Sequence, residues 1–202
     1  EHFSGCVVVP LRDLAGEVVG FYGRSVEGHR HLFLPGPRRG LVNAAGAATT
    51  DELILTEGVF DFLAFAEAGI PNAVPLYGTN GFTQDHVALL EKHRIRRVVL
   101  ALDADEAGRT ASRALAEKLR GRGIEVLDVL LPAKDPSDLL LREGREGFAK
   151  SWGRLVTEAT RQARRGFLPA PAAPAGETAE AAAKGRSTEA PGPSLTCEDG
   201  VQ

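Results

Sequence analysis

Five acidic residues sit where apolar runs end. Val98–Leu102 stops at Asp103 and Asp105, Leu53–Thr56 stops at Glu57, and Ile124–Leu131 opens into a polar loop with Asp135 and Asp138. A short apolar run that passes straight into a helical pattern reads as a buried parallel strand feeding a helix. Ligands of open α/β sheets bind at the carboxyl ends of such strands. Carboxylates gathered on one rim repel one another unless a cation stands between them. Mg²⁺ or Mn²⁺ suits that position, because hard divalent ions take carboxylate, water and phosphate oxygens together. Metal held this way can activate an attacking hydroxyl and stabilise a leaving oxygen, which is the chemistry of phosphoryl transfer.

Each acid also has an ordinary reading. Asp103 and Asp105 suit a strand-end turn followed by a helix N-cap, with Asp105 well placed to cap a helix from Glu106. Glu57 suits a first-turn acid favoured by a helix dipole, Asp61 an exposed helical acid, and Asp138 an N-cap. It is the recurrence of acids in three separate strand-end loops that favours a metal site over three independent caps.

The elements that must position these groups follow from the chain's periodicity. Cys6–Pro10 and Glu17–Arg24 read as a β-hairpin, followed by a basic, turn-rich stretch, Gly28–Gly40, around a short strand His31–Leu34. Then strands and helices alternate: a strand over Asp51–Thr56, a helix from Val59 to Ala68, a strand Ala73–Leu76 and a helix from an N-cap at Thr83 to His93. The central strand, a helix over Glu106–Arg120, a strand Ile124–Leu131, a short helix Leu139–Arg142 and a last helix Glu146–Arg165 complete the series. Alternation of this kind predicts an α/β fold with a parallel sheet covered on both faces. The expected division is a β-rich segment over residues 1–50, an α/β domain over 51–145, a helical segment over 146–166 and a disordered Ala/Pro/Gly-rich linker over 167–202.

Composition bounds the partners. A net charge of −3 leaves nucleic acid to be held by a local basic stripe, and Arg24, Arg30, Arg38 and Arg39 ahead of the acidic rim suit one as well as they suit solvated surface charge. Gly78 and Thr79 form either a simple turn or a loop that lets backbone approach phosphate. Cys6 and Cys197 fit neither a disulfide framework nor a zinc site, and His29, His31, His86 and His93 have no ligand spacing with them. The expectation is a cytoplasmic protein with no membrane span. The absence of methionine, position 1 included, reads as a segment cut from a longer chain.

The ordered set Glu57-Gly58-Val59-Phe60-Asp61, Leu76-Tyr77-Gly78-Thr79, Asp103-Ala104-Asp105-Glu106-Ala107-Gly108-Arg109 and Lys134-Asp135-Pro136 resembles the TOPRIM signature, and within it the catalytic core of DnaG-type DNA primases. Pro10–Asp13, Gly20–Arg24 and His31–Pro37 resemble that core's N-terminal subdomain, so the resemblance runs from about Val7 to Gly144. It implies a Rossmann-like, mainly parallel four-stranded sheet flanked by helices, behind a small β-rich subdomain. It further implies that Glu57, Asp103, Asp105 and Asp135 bind metal, that Glu57 is a candidate general acid or base, that Asp61 and Asp138 support the site, and that Arg24, Gly78, Thr79 and Arg109 face nucleotide or template phosphate. The implied partners are single-stranded DNA, ribonucleoside triphosphates and a replicative helicase. Two departures stand out: Ser137 occupies a position where the family often has a further acid, and His31 one where it has lysine. A TOPRIM nuclease, or a non-catalytic TOPRIM binding module, is the alternative. A topoisomerase is disfavoured, because its nucleophilic tyrosine lies in another domain and only Tyr22 and Tyr77 occur here.

Overall fold

The structure is a computed structural model that describes residues 2–28 and 30–166. The predicted linker over 167–202 and His29 lie outside the described residues. Three antiparallel strands, β1 (Cys6–Arg12), β2 (Val18–Ser25) and β3 (His31–Phe33), form a sheet in the order β1-β2-β3. A second, wholly parallel sheet has the order β5-β4-β6-β7, from β4 (Glu52–Thr56), β5 (Ala73–Pro75), β6 (Arg97–Ala101) and β7 (Glu125–Asp128). Its helices are α1 (Val59–Glu67), α2 (Gln84–Lys92), α3 (Glu106–Arg120) and α4 (Pro136–Gly166).

The parallel strands read as unbroken apolar runs because both of their faces are buried. Along β4, Leu53 and Leu55 enter one core with Leu89 of α2 and Leu119 of α3, while Ile54 enters the other with Phe65 of α1 and Phe148 of α4. In β6, Val98 and Leu100 join the first core, and Val99 and Ala101 the second. On the second face Phe65 meets Phe148 and Trp152 edge-on, at centroid distances of 5.1 and 4.6 Å. Trp152 is therefore a packing residue.

The predicted elements recur with shifted edges. β7 stops at Asp128 rather than Leu131, because Leu130 turns out to solvent. The two C-terminal helices run on from Pro136 as one, broken only at Gly144, whose φ of 69° and ψ of 178° are not helical. One element escapes the periodicity altogether, a 3₁₀ helix over Ala44–Thr49. Leu41, Ala44 and Ala47 pack into the core of the parallel sheet, and Asn43 Nδ2 donates to the carbonyls of Pro71 (2.7 Å) and Ala73 (2.9 Å). The end of the segment expected to belong to the β-rich part thus serves the α/β part.

Among the described residues, no helix is long and apolar enough to cross a membrane.

Candidate metal centre and nucleotide cleft

All four parallel strands end on one rim, and backbone hydrogen bonds fix the loops there against one another. Gly78 N–H donates to Glu57 O (2.9 Å), joining the loops after β5 and β4. Ala104 N–H donates to Lys134 O (2.8 Å), joining the loops after β6 and β7. The loop after β5 turns at Tyr77 and Gly78, both at positive φ (63° and 113°). Two glycines permit close approach of backbone: a Cβ on Gly81 would lie 1.4 Å from Leu76 O, and one on Gly108 2.2 Å from Asp103 O. The first turn of α3 is therefore pressed against the chain that carries Asp103.

Within this frame, one carboxylate oxygen from each of Asp61, Asp103 and Asp135 lies within 4.8 Å of the other two. Asp61 is buried in the first turn of α1. Its Oδ2 accepts the Gly58 N–H (3.0 Å), and its Oδ1 accepts both the N–H (3.4 Å) and the hydroxyl (3.1 Å) of Ser137. Asp135 N-caps α4, its Oδ1 accepting the Asp138 N–H (2.7 Å), with Pro136 following at the first helical position. Glu57 lines the same cleft, and its Oε2 is buried without a hydrogen-bond partner.

Electrostatics agree with the geometry. Burial, reinforced by Glu57, Asp61, Asp135 and Asp105, pushes the Asp103 carboxyl up to about 7. Burial likewise raises Glu57, with the charges of Asp105 and Asp61 adding to it and Lys134 opposing, and raises Asp61, with Asp135 adding to it. A cluster of carboxyls that resist ionisation together, one of them with an orphaned buried oxygen, suits a hard divalent cation.

Of the residues singled out in the sequence, the cleft brings together Arg24, Glu57, Asp61, Gly78, Asp103 and Asp135. Asp105, predicted as a metal ligand, is exposed and does not line it, N-capping α3 through Gly108 N–H to Oδ1 (2.7 Å). Asp138 is not an N-cap. It lies in the first turn of α4, where its Oδ2 accepts the Lys134 N–H (3.1 Å) and its carboxylate pairs with Arg142. Arg109 donates to the Ala104 carbonyl, which braces the Asp103–Asp105 turn from outside. Arg38 lies over the Phe33 ring at 4.3 Å, and Arg30, Arg38 and Arg39 are exposed without lining the cleft, as Thr79 also does not line it.

Sequence reasoning gave Tyr22, Phe60, Tyr77 and Lys134 no role in the cleft, yet all four line it. Lys134 bridges to Asp135 (3.6 Å), and Lys-Asp-Pro adjacency was its only signal. His31, the lysine substitute, joins Tyr22 and Arg24: Tyr22 Oη lies 2.7 Å from His31 Nδ1, and the Arg24 guanidinium meets Nε2. This wall is carried over the acids by an aromatic cluster, with ring centroids at 5.3 Å for Tyr22–Phe33, 5.8 Å for Tyr22–Tyr77 and 5.7 Å for Phe33–Tyr77. The open cleft measures about 630 Å³, room for a nucleotide-sized ligand.

Comparison with known proteins points the same way. Residues 54–140 match a family described as Toprim-like. A DNA primase of Clostridium acetobutylicum is 30% identical over 161 residues, covering 74% of this chain and 27% of that protein. The crystal structure of the zinc-binding and RNA polymerase domains of Aquifex aeolicus primase superposes with a TM-score of 0.64 at 30% identity, covering 82% of this chain and 44% of that one. A DnaG primase catalytic domain bound to single-stranded DNA superposes with a TM-score of 0.62 at 28% identity, covering 84% and 58%. The chain spans about a quarter of the length of the curated relatives it matches.

Proposed function

The chain belongs to the TOPRIM-domain cores of DnaG-type DNA primases, and from that premise we propose that it is the metal-dependent centre that joins ribonucleotides into short RNA primers on single-stranded DNA during replication. The observation that carries this reading is the convergence of Asp61, Asp103 and Asp135 beside Glu57, in one cleft with Arg24. Acids alone would suit many metal enzymes; acids sharing a cleft with a guanidinium suit a polyanion held to metal.

Asp61, Asp103 and Asp135 would hold Mg²⁺ or Mn²⁺, with Glu57 and Asp105 completing the acidic set. A bound divalent ion supplies neutralisation of nucleotide phosphate charge and lowers the barrier to attack by a primer 3′-hydroxyl. Arg24 and Lys134 supply protein cations for phosphate oxygens at either side of the cleft. The unpartnered Glu57 Oε2 is the atom placed to take the hydroxyl proton, and burial, by raising its basicity, suits it to that task. Arg30, Arg38 and Arg39 contact template backbone outside the cleft. Asp138 and Arg109 hold the loops that carry the ligands. Ribonucleoside triphosphates and a template are the substrates, and a replicative helicase is a partner through regions beyond this chain.

The test is primer synthesis by the full-length protein with Asp103→Asn and Asp105→Asn. Both variants should lose synthesis by two orders of magnitude or more, on the order of the loss from removing one electrostatic catalytic group. Undiminished synthesis overturns the reading.

A further inference from the structure

Phe60 is the one large aromatic of α1 that the fold does not use. Phe65 of the same helix is fully buried against Phe148 and Trp152, and Phe62 packs against two cores. Phe60 is 43% exposed. Scattered exposed apolar residues are ordinary, so exposure alone carries nothing. Position does: Phe60 immediately precedes Asp61 and lines the same cleft as Glu57, Asp103, Asp135 and Arg24. A polar side chain there would serve folding as well and would solvate the cleft better.

We infer that Phe60 is a stacking platform for a nucleobase lodged in the cleft, the base lying on its ring while the attached phosphates reach the Asp61–Asp103–Asp135 centre and Arg24. The inference rests on the primase reading and deepens it. A nucleotide presents two chemistries, a polyanion and a flat π-face, and the cleft offers a complement to each. Stacking is sequence-tolerant, because every base has a π-face. The base has two possible sources, an incoming ribonucleotide or the single-stranded template.

The test is equilibrium binding to the 202-residue chain, in Mg²⁺, of ATP, inorganic tripolyphosphate, an oligodeoxythymidine and the same oligonucleotide with abasic sites. Phe60→Ala should weaken ATP, the oligodeoxythymidine or both by roughly 5- to 150-fold, the range set by one lost stack. Tripolyphosphate and the abasic strand should bind within about twofold of wild type. Loss confined to ATP assigns the ring to the incoming nucleotide, and loss confined to the oligodeoxythymidine assigns it to template. Phe60→Trp should keep the affinity and report the base by quenching of its fluorescence. Equal loss for ATP and tripolyphosphate, or no loss with any probe, overturns the inference while leaving the primase reading intact. Failure of the wild-type chain to bind any of the four probes overturns both.

Discussion

Ser137 donates twice to one oxygen of Asp61, from its backbone N–H and from its hydroxyl. A neutral donor thus supports a buried carboxylate at a position where another acid would repel it. Ser137→Ala should cost about 1 kcal/mol in denaturant unfolding, the worth of one hydrogen bond, because the two N–H donors to Asp61 remain. Ser137→Asp should lower the metal-free melting temperature further and raise affinity for Mn²⁺, read by titration. Loss of Mn²⁺ affinity in that variant would contradict the placement of Asp61 among the ligands.

Stability and metal binding should depend on pH with opposite signs. The folded Asp103 carboxyl, pushed up to about 7 by burial and four neighbouring acids, holds its proton more tightly than the unfolded one, at 3.8. Between about pH 4 and 7 the folded state therefore binds more protons than the unfolded state. Metal-free stability should fall as pH rises through that window and level off above it. A divalent ion must displace the proton, so Mn²⁺ affinity should rise by roughly tenfold per unit up to about pH 7. Asp103→Asn should flatten the stability profile in chelator and abolish the Mn²⁺ response. Denaturant midpoints and Mn²⁺ titrations across pH 4.5–8 check both signs.

Gly108→Ala should do more damage than its chemistry suggests. Its Cβ would lie 2.2 Å from Asp103 O, so either α3 shifts or the metal loop moves. Destabilisation above about 2 kcal/mol, together with loss of Mn²⁺ binding, is expected. Gly153→Ala is the control. Its Cβ meets nothing within 4 Å on an exposed face of α4, and it should stabilise by up to about 1 kcal/mol through helix propensity. Thermal melts of the pair with and without Mn²⁺ separate backbone crowding from any general effect of adding a methyl group.

Tyr77→Phe should separate the hydroxyl from the ring. Tyr77 Oη accepts the Val42 N–H at 2.7 Å, and burial makes the phenol a weaker acid than usual, which keeps the hydroxyl neutral. Removing that oxygen leaves a part-buried donor unpaired, at a cost of about 1–3 kcal/mol. The ring contacts with Tyr22 and Phe33 should survive. Nucleotide affinity measured well below the melting transition should therefore change less than stability does.

The parallel sheet was legible because burial of both its faces writes itself into the sequence as continuous apolar runs. Val98–Leu102 gave its strand directly, and the acids at the run ends gave the rim. The early end of β7 at Asp128 and the 3₁₀ helix over Ala44–Thr49 were not legible. The strand ends where Leu130 leaves the sheet, and the helix is a run of small residues with no period, buried only because Asn43 ties it to the loop before β5. Within the site, Asp103, Asp135 and Glu57 announced themselves by position. Asp61 was marked only by the Glu57–Asp61 motif, since its helical spacing suits surface and interior acids equally; its carboxylate is held by Gly58 and Ser137, the latter 76 residues away. Tyr22 and Tyr77 gave no signal because their meeting requires the small sheet to fold over the loop after β5.

That meeting has a bearing on selectivity. Three rings, Tyr22, Phe33 and Tyr77, settle how far the guanidinium of Arg24 stands from the acids beneath it, so the passage has a gauge fixed by carbon rather than by charge. Trimming a methyl group from Val42, which packs with those rings and does not line the cleft, should retune which molecules fit.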